Sequence, residues 1–309
     1  MRKSVTVTST EKDRPARPEG DDAPTVVALG GGHGLAATLR AVRRYAGTLT
    51  GVVSVGDDGG SSGRLRADFG VAPPGDVRRC ISALATDDTL LRTSLEYRFA
   101  EGPLTGHPIG NLLLAGLAIA SGSFQDAIDE LCRLVDCEGS IVAATTVPVR
   151  LLADSDQGII TGQVTIERVT GIRNLRFEPT DPPVADAAIK AIEQADQIII
   201  GPGSLFTSVL ASVVVPGLLP VFQRATGQRV FVANVANERA MARGFGLGEH
   251  LATMSDHGVE VDVVVADKST IGGDVEGYDI RWADVAAEDG WSHDPDKLGT
   301  VLGEIWTDR

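Results

Sequence analysis

Five segments of this 309-residue sequence carry residue types suited to holding an anion, and four of them are rich in Gly. The first is Gly30-Gly31-Gly32-His33-Gly34-Leu35. Without Cβ atoms the chain can turn sharply and bring backbone N–H groups against a phosphate at the start of a following helix, where the peptide dipoles add positive charge. Gly32, Gly34 and Ala37 also fit the G-x-G-x-x-A form of the dinucleotide fingerprint, with Asp57 and Asp58 where a ribose-binding acid would stand. A tight strand-to-helix turn without a ligand accounts for the same glycines.

The second segment, Gly56-Asp57-Asp58-Gly59-Gly60-Ser61-Ser62-Gly63-Arg64-Leu65-Arg66, holds more small residues than a short turn needs. Hydroxyl and backbone donors followed by Arg64 suit phosphate oxygens, and an acid takes ribose hydroxyls or a metal ion. A flexible surface loop is the alternative. In Pro73-Pro74-Gly75-Asp76-Val77-Arg78, Asp76 stands where it either caps a helix or meets a ligand, with Arg78 two residues on. Gly106-His107-Pro108-Ile109-Gly110-Asn111 opens an apolar helix, so His107 and Asn111 lie beside free N–H groups. His107, like His33, is open to a purely local hydrogen-bonding role. The fifth segment, Gly201-Pro202-Gly203-Ser204 with Thr207 and Ser208 beyond, makes a second anion nest. Two nests on one sheet edge suit a ligand with separated polar parts, such as a diphosphate and a sugar.

Positioning these loops requires strands that end at them. Val- and Ile-rich runs at Thr25–Leu29, Val52–Val55, Ile198–Ile200, Arg229–Val232 and Val259–Val265 read as buried parallel strands. Between them the spacing of Leu35, Leu39, Val42 and Ala46 and the stretch Asn111–Ala120 read as helices. The alternation implies an α/β fold: a Rossmann-like, doubly wound, mainly parallel sheet in an α/β/α sandwich. Short alternating runs around Asp156-Gln157-Gly158 read as an inserted β-hairpin, within a region 144–180 that separates the two halves of the sheet. A Pro-rich connector from Glu178 to Pro183 leads into a helix at Val184–Gln194, and Pro295–Trp306 reads as a terminal helix. Residues 1–23 are expected to be a disordered tail, 24–309 one domain, and 236–309 its variable part.

The formal net charge of −14 argues against nucleic acid and anionic membranes as partners, while a local pocket of N–H groups and Arg still suits a small anion. Cys80, Cys132 and Cys137 lack metal or CxxC spacing and read as free thiols. No signal peptide and no apolar run of membrane-spanning length is present, so a cytoplasmic protein is expected. The sequence holds no Walker A lysine, no GxSxG elbow and no HExxH, so binding is more legible in it than catalysis.

Taken in order, GGGHGL, DDGGSSGRLR, PPGDVR, GHPIGNLLLAGL, the Ala144-Thr145-Thr146 triplet and GPGSLFTS followed by VVVPG resemble the gluconeogenesis factor family, also called YvcK. That family is a branch of the superfamily of 2-phospho-L-lactate transferase, and the resemblance spans about two thirds of the chain, roughly Val26 to Val235. It implies a bacterial cytoplasmic protein that binds UDP-sugars such as UDP-N-acetylglucosamine and supports cell shape and peptidoglycan synthesis during gluconeogenic growth. Ligand contacts are thereby expected at Gly30, Gly31, Gly32, Gly34, Asp57, Gly59, Gly60, Ser61, Ser62, Arg64, Asp76, His107, Asn111, Gly203 and Ser204, with His33, Asp58, Arg78, Gly201 and Asn234 added from their places in the same loops. The chain departs from the family at His33, where a small residue such as Thr is usual, at Arg79, where Asn is usual, and in the segment from Asn234 to Ala240.

Three functions are then open. The first is a nucleotide-sugar binder without a firm cofactor. The second is a transferase using a nucleotide-activated donor, with Mg²⁺ held at Asp57 or Asp58. The third is an NAD(P) oxidoreductase, which the extra Gly/Ser loop disfavours. A homo-oligomer, in the first instance a dimer, is expected, and the sequence names no protein partner.

Overall fold

The computed structural model describes residues 23–86, 89–235, 245–267 and 275–309. Nearly all of the expected tail, residues 1–22, and most of the divergent segment after Asn234 lie outside them. Strands β1 (Thr25–Gly30), β2 (Thr48–Val53) and β3 (Ser140–Ala143) are followed by β4 (Arg150–Ser155), β5 (Gly158–Thr161) and β6 (Arg173–Glu178). Then come β7 (Gln197–Ile200), β8 (Gln228–Val232), β9 (Val263–Ala266) and β10 (Asp279–Trp282).

Seven of these form one parallel sheet in the order β10-β9-β8-β7-β1-β2-β3. The α/β expectation therefore holds. Val26 to Leu29 and Ile198 to Ile200 are buried throughout because helices cover both faces, which is why they read as unbroken apolar runs. Each fully buried Leu or Ile contributes about 1.5–3 kcal/mol. Strand order reverses at β1: the chain leaves it for β2 and β3 on one side and returns to β7 on the other. Ligand crevices of such sheets open beyond the carboxyl ends of the strands at this reversal.

Several boundaries differ from the sequence reading. Strand β2 ends at Val53, and Val55 is core beyond it. Strand β9 starts at Val263 because Val259 is drawn into the end of the preceding helix, its N–H donating to Met254 O at 2.9 Å. Strands β3 and β10 are not among the expected strands, being four residues each with no Gly-rich motif after them. The inserted hairpin is a three-stranded antiparallel sheet of order β5-β4-β6. Strand β6 has no apolar run to mark it, because only Leu175 and Phe177 face inward between polar and charged neighbours.

The crossover between β2 and β3 holds five helices. Helix α1 (Gly32–Val42) follows β1, and then come α2 (Gly60–Phe69), α3 (Gly75–Leu84), α4 (Leu90–Glu96), α5 (Ile109–Ser121) and α6 (Phe124–Leu134). The segment read as a small-residue loop is thus a helix from Gly60 onward. Its small residues serve close packing: a Cβ at Gly63 would sit 2.1 Å from the Asp58 carbonyl oxygen, and Ser61 and Ser62 are buried. The expected helices at 184–194 and 295–306 appear as Asp186–Glu193 and Pro295–Thr307. All three cysteines are free. Among the described residues no helix is long and apolar enough to cross a membrane.

Candidate functional site

Three helix starts converge beyond the end of β2. Helix α2 brings Gly60, Ser61 and Ser62, helix α3 brings Gly75 and Asp76, and helix α5 brings Asn111 to one cleft of about 280 Å³. Arg78, Arg79 and Arg98 add positive charge, Asp57 and Gly59 come from the loop after β2, and Gln163, Val164 and Glu167 come from the inserted region. First-turn N–H groups without helical partners, together with guanidinium groups, make this a place for an anion with two or more acidic oxygens.

Behind the cleft wall the side chains fix one another. Asn111 Nδ2 donates to Ser61 Oγ at 3.0 Å, and Ser61 Oγ lies 2.8 Å from His107 Nδ1. Burial, and next the Arg64 charge, hold the His107 pKa below the ordinary histidine value, which favours the neutral ring in its hydrogen bond with Ser61. Arg78, almost fully buried, donates from Nε to Asn111 Oδ1 at 3.0 Å and pairs with Glu96. Burial alone would raise the Glu96 pKa, but Arg78 overrides it and the carboxylate stays ionised. Ser62 Oγ accepts from Gly75 N–H at 3.0 Å, so one serine of the pair steadies α3 while the other is held by α5.

Asp76 sits at the centre. Burial, reinforced by the neighbouring Asp57, pushes its carboxyl up to about 6, against the pull of Arg79 and of the Gly32 N–H. Arg79 Nη1 donates to Asp76 Oδ1 at 2.8 Å, while Arg79 Nε is buried without a partner. A Cβ at Gly31 would sit 2.8 Å from Asp76 Oδ2, so the start of α1 is already filled by a carboxylate of the protein itself.

The second expected nest is also closed from within. Gly203 N–H donates to Asn234 Oδ1 and Asn234 Nδ2 donates back to Gly203 O, both at 2.9 Å. Gly34 packs against this loop, where a Cβ would come within 2.0 Å of Pro202 O. The turn after Ser204 is a π-helix, Leu205–Leu210, with Thr207 Oγ1 donating to Glu167 Oε1 at 2.9 Å. Gly30, Gly31, Gly32, Gly34, Gly201, Gly203, Ser204 and Asn234 thus stand together at the strand reversal, outside the cleft lining.

Of the remaining expected contacts, Asp57, Gly59, Gly60, Ser61, Ser62, Asp76, Arg78 and Asn111 line the cleft. Asp58 is turned away, its Oδ1 accepting from Val164 N–H at 3.0 Å, which ties the inserted region down. Arg64 is exposed and donates to Thr105 O at 2.9 Å, and His33 lines a neighbouring cavity. Arg98 and the three residues of the inserted region carry no local motif and reach the cleft only through tertiary packing. Arg79 had a signal in its place one residue after Arg78.

A divalent cation has a limited footing here. Asp57 Oδ1 already accepts from Gly59 N–H at 2.9 Å, and no group of three His, Cys, Asp or Glu side chains among the described residues is arranged for a metal. The cleft fits Mg²⁺ only as such ions commonly bind, through one or two carboxylates plus the phosphates of a ligand.

Residues 26–300 match the family model of 2-phospho-L-lactate transferase CofD. The chain is 40% identical over 306 residues to a Mycobacterium tuberculosis protein named "Putative gluconeogenesis factor", covering 91% of this chain and 90% of that one. It is 37% identical over 246 residues to the "Gluconeogenesis factor" of Halalkalibacterium halodurans, covering 78% and 76%. The crystal structure of a UPF0052 family member from Bacillus halodurans superposes with a TM-score of 0.85 at 32% identity, over 90% of this chain and 97% of that one. A match of this length in sequence and in structure places the chain in the gluconeogenesis factor family, within the wider family of 2-phospho-L-lactate transferase CofD.

Proposed function

We propose that the cleft binds the diphosphate of a nucleotide sugar, with UDP-N-acetylglucosamine as the reference ligand. On this reading the protein is a cytoplasmic regulator of cell shape and peptidoglycan synthesis during growth on gluconeogenic carbon sources. The observation that carries the binding half is the meeting of three helix starts with Arg78, Arg79 and Arg98 in one cleft. The names of the relatives support the physiological half. Apolar side chains on the outer face of α5, Leu113 at 37% and Ile119 at 57% exposure, support self-association as a dimer, which sedimentation velocity would register.

Thermal unfolding with UDP-N-acetylglucosamine, UDP-glucose, GDP or NADH, each with and without Mg²⁺, tests the reading. Ligand at about 100 times its Kd stabilises by roughly 2.7 kcal/mol, a rise of about 4 °C for a chain this size. A shift with UDP-sugars alone supports the binder. Its absence for every UDP-sugar overturns it, and a shift with NADH alone would restore the oxidoreductase.

One observation favours a transferase as the second reading. Asp57, Asp76 and Glu167 share the cleft with the arginines, and burial pushes the Asp76 carboxyl up to about 6, toward the range that suits a proton acceptor for an attacking hydroxyl. Mg²⁺-dependent consumption of a GDP- or UDP-linked donor, lost in Asp57→Asn, would establish it.

A further inference from the structure

A second cavity, of about 380 Å³, lies on the other side of Arg79 between α1, α3 and α4. Its lining is His33, Ala36 and Arg40 from α1, Arg79 and Ser82 from α3, and Arg92, Thr93 and Glu96 from α4. Its volume is within the range of small-molecule sites. The chain as a whole carries a net charge of −14, yet three guanidinium groups meet here.

The one carboxylate in the lining is already committed, because Glu96 pairs with Arg78. Arg40 is exposed and makes no hydrogen bond or ion pair with another described residue. Arg79 spends Nη1 on Asp76 and leaves Nε buried without a partner. Glu96 offsets only part of this charge, and bringing like charges together in a partly desolvated place costs less when a further anion sits among them. The guanidinium fork, unlike an ammonium, matches the oxygens of a phosphate two at a time.

We infer that this cavity is a second ligand site, for a small phosphomonoester, separate from the nucleotide-sugar cleft and sharing Arg79 with it. The phosphate lies between Arg40 and Arg79, and the rest of the ligand lies along Ala36 and Thr93. A protein so built senses two metabolites at once, one on each side of a single guanidinium group. The inference goes beyond the nucleotide-sugar reading and does not depend on it, since the second cavity can be titrated with no nucleotide present.

The test is calorimetric titration of the full chain with glycerol 3-phosphate, in parallel with inorganic phosphate, repeated at saturating UDP-N-acetylglucosamine. Saturable binding of glycerol 3-phosphate is expected, weakened at least tenfold in Arg40→Glu and by a smaller factor in Arg40→Lys, which keeps the charge but loses the fork, with the cleft ligand unable to displace it. Unchanged thermal unfolding of the Arg40→Glu variant shows that its fold is intact, and its affinity for UDP-N-acetylglucosamine stays at the native value. No binding of the ester, equal affinity in Arg40→Glu, or displacement by UDP-N-acetylglucosamine overturns the second site. Inorganic phosphate binding as tightly as the ester overturns the ligand class, leaving an adventitious ion only. If UDP-N-acetylglucosamine does not bind at all, the cleft reading fails and the direct titration of the two Arg40 variants still decides this one.

Discussion

Two regions of this molecule share one local recipe, a Gly-rich turn feeding a helix start, and use it in opposite ways. At the strand reversal, Asp76 fills the start of α1 and Asn234 closes the Gly203 loop, so both nests are satisfied by the protein's own side chains. At the starts of α2, α3 and α5 the space is left open and surrounded by arginine. An exposed helix start is an anion site only if no neighbouring acid or amide reaches it first. The glycines of the reversal thus have a packing explanation, Gly34 against Pro202 above all.

The largest effect in this comparison is expected at Arg79. It is the cation of the open cleft that also holds Asp76, so Arg79→Ala removes charge from the ligand and loosens the acid that fills α1. UDP-N-acetylglucosamine affinity should fall about 100- to 1,000-fold, roughly 3–4 kcal/mol, as for loss of a largely buried, hydrogen-bonded charge. Calorimetry showing less than a tenfold loss would move the ligand out of this cleft.

Next comes Asp76 itself. Its pKa is raised from 3.8 to about 6 in the folded protein, so the folded state binds the proton more tightly than the unfolded chain. That advantage is present in full below about pH 4 and is lost as pH rises through 6. Asp76→Asn should therefore gain stability over native protein between pH 4 and 6, reaching about 2–3 kcal/mol at pH 7. Urea titrations across that range check it, and a gain independent of pH would mean that Asp76 is not the titrating group.

Asn234→Ala probes the closed nest with a smaller effect. It strips partners from both the N–H and the carbonyl of Gly203 and should lower stability by about 1–2 kcal/mol. Affinity for the nucleotide sugar should stay within about twofold, because Asn234 is outside the cleft. A hundredfold loss of affinity at unchanged stability would reopen the strand reversal as the binding site.

How much of this was legible in the sequence follows from the range of the interactions. Parallel strands buried on both faces announce themselves as Val and Ile runs, so β1, β7 and β8 were found close to their true limits. The four-residue β3 and β10 and the half-exposed β6 lack such runs. Within the site, Ser61, Ser62, Asp76 and Asn111 each stand beside a helix start, a relation visible along the chain. Arg98, Gln163 and Glu167 are brought in by the α4–α5 connection and the inserted sheet, whose docking rests on contacts such as Asp58 with Val164 far apart in sequence. Local sequence marks where a helix can receive an anion, but not which distant side chain arrives there first, as Asp76 does at Gly31 and Gly32.

Arg64 gives the smallest expected effect and the sharpest test of that distinction. From its place after Gly59-Gly60-Ser61-Ser62-Gly63 it reads as a phosphate ligand whose loss weakens binding while sparing the fold. In the folded chain it points along the surface to Thr105 O, away from the cleft lining. An exposed side chain with one carbonyl contact contributes little, so Arg64→Ala should change stability by less than about 0.5 kcal/mol. With Arg78, Arg79 and Arg98 supplying the charge of the cleft, affinity for UDP-N-acetylglucosamine should change by less than about threefold, mainly through the weakened long-range field. Calorimetry on this variant beside Arg79→Ala separates the two accounts. A loss at Arg64 as large as at Arg79 would mean that the 105–106 turn closes over the ligand and carries Arg64 inward, and the cleft would then extend past the wall that His107 and Ser61 now form.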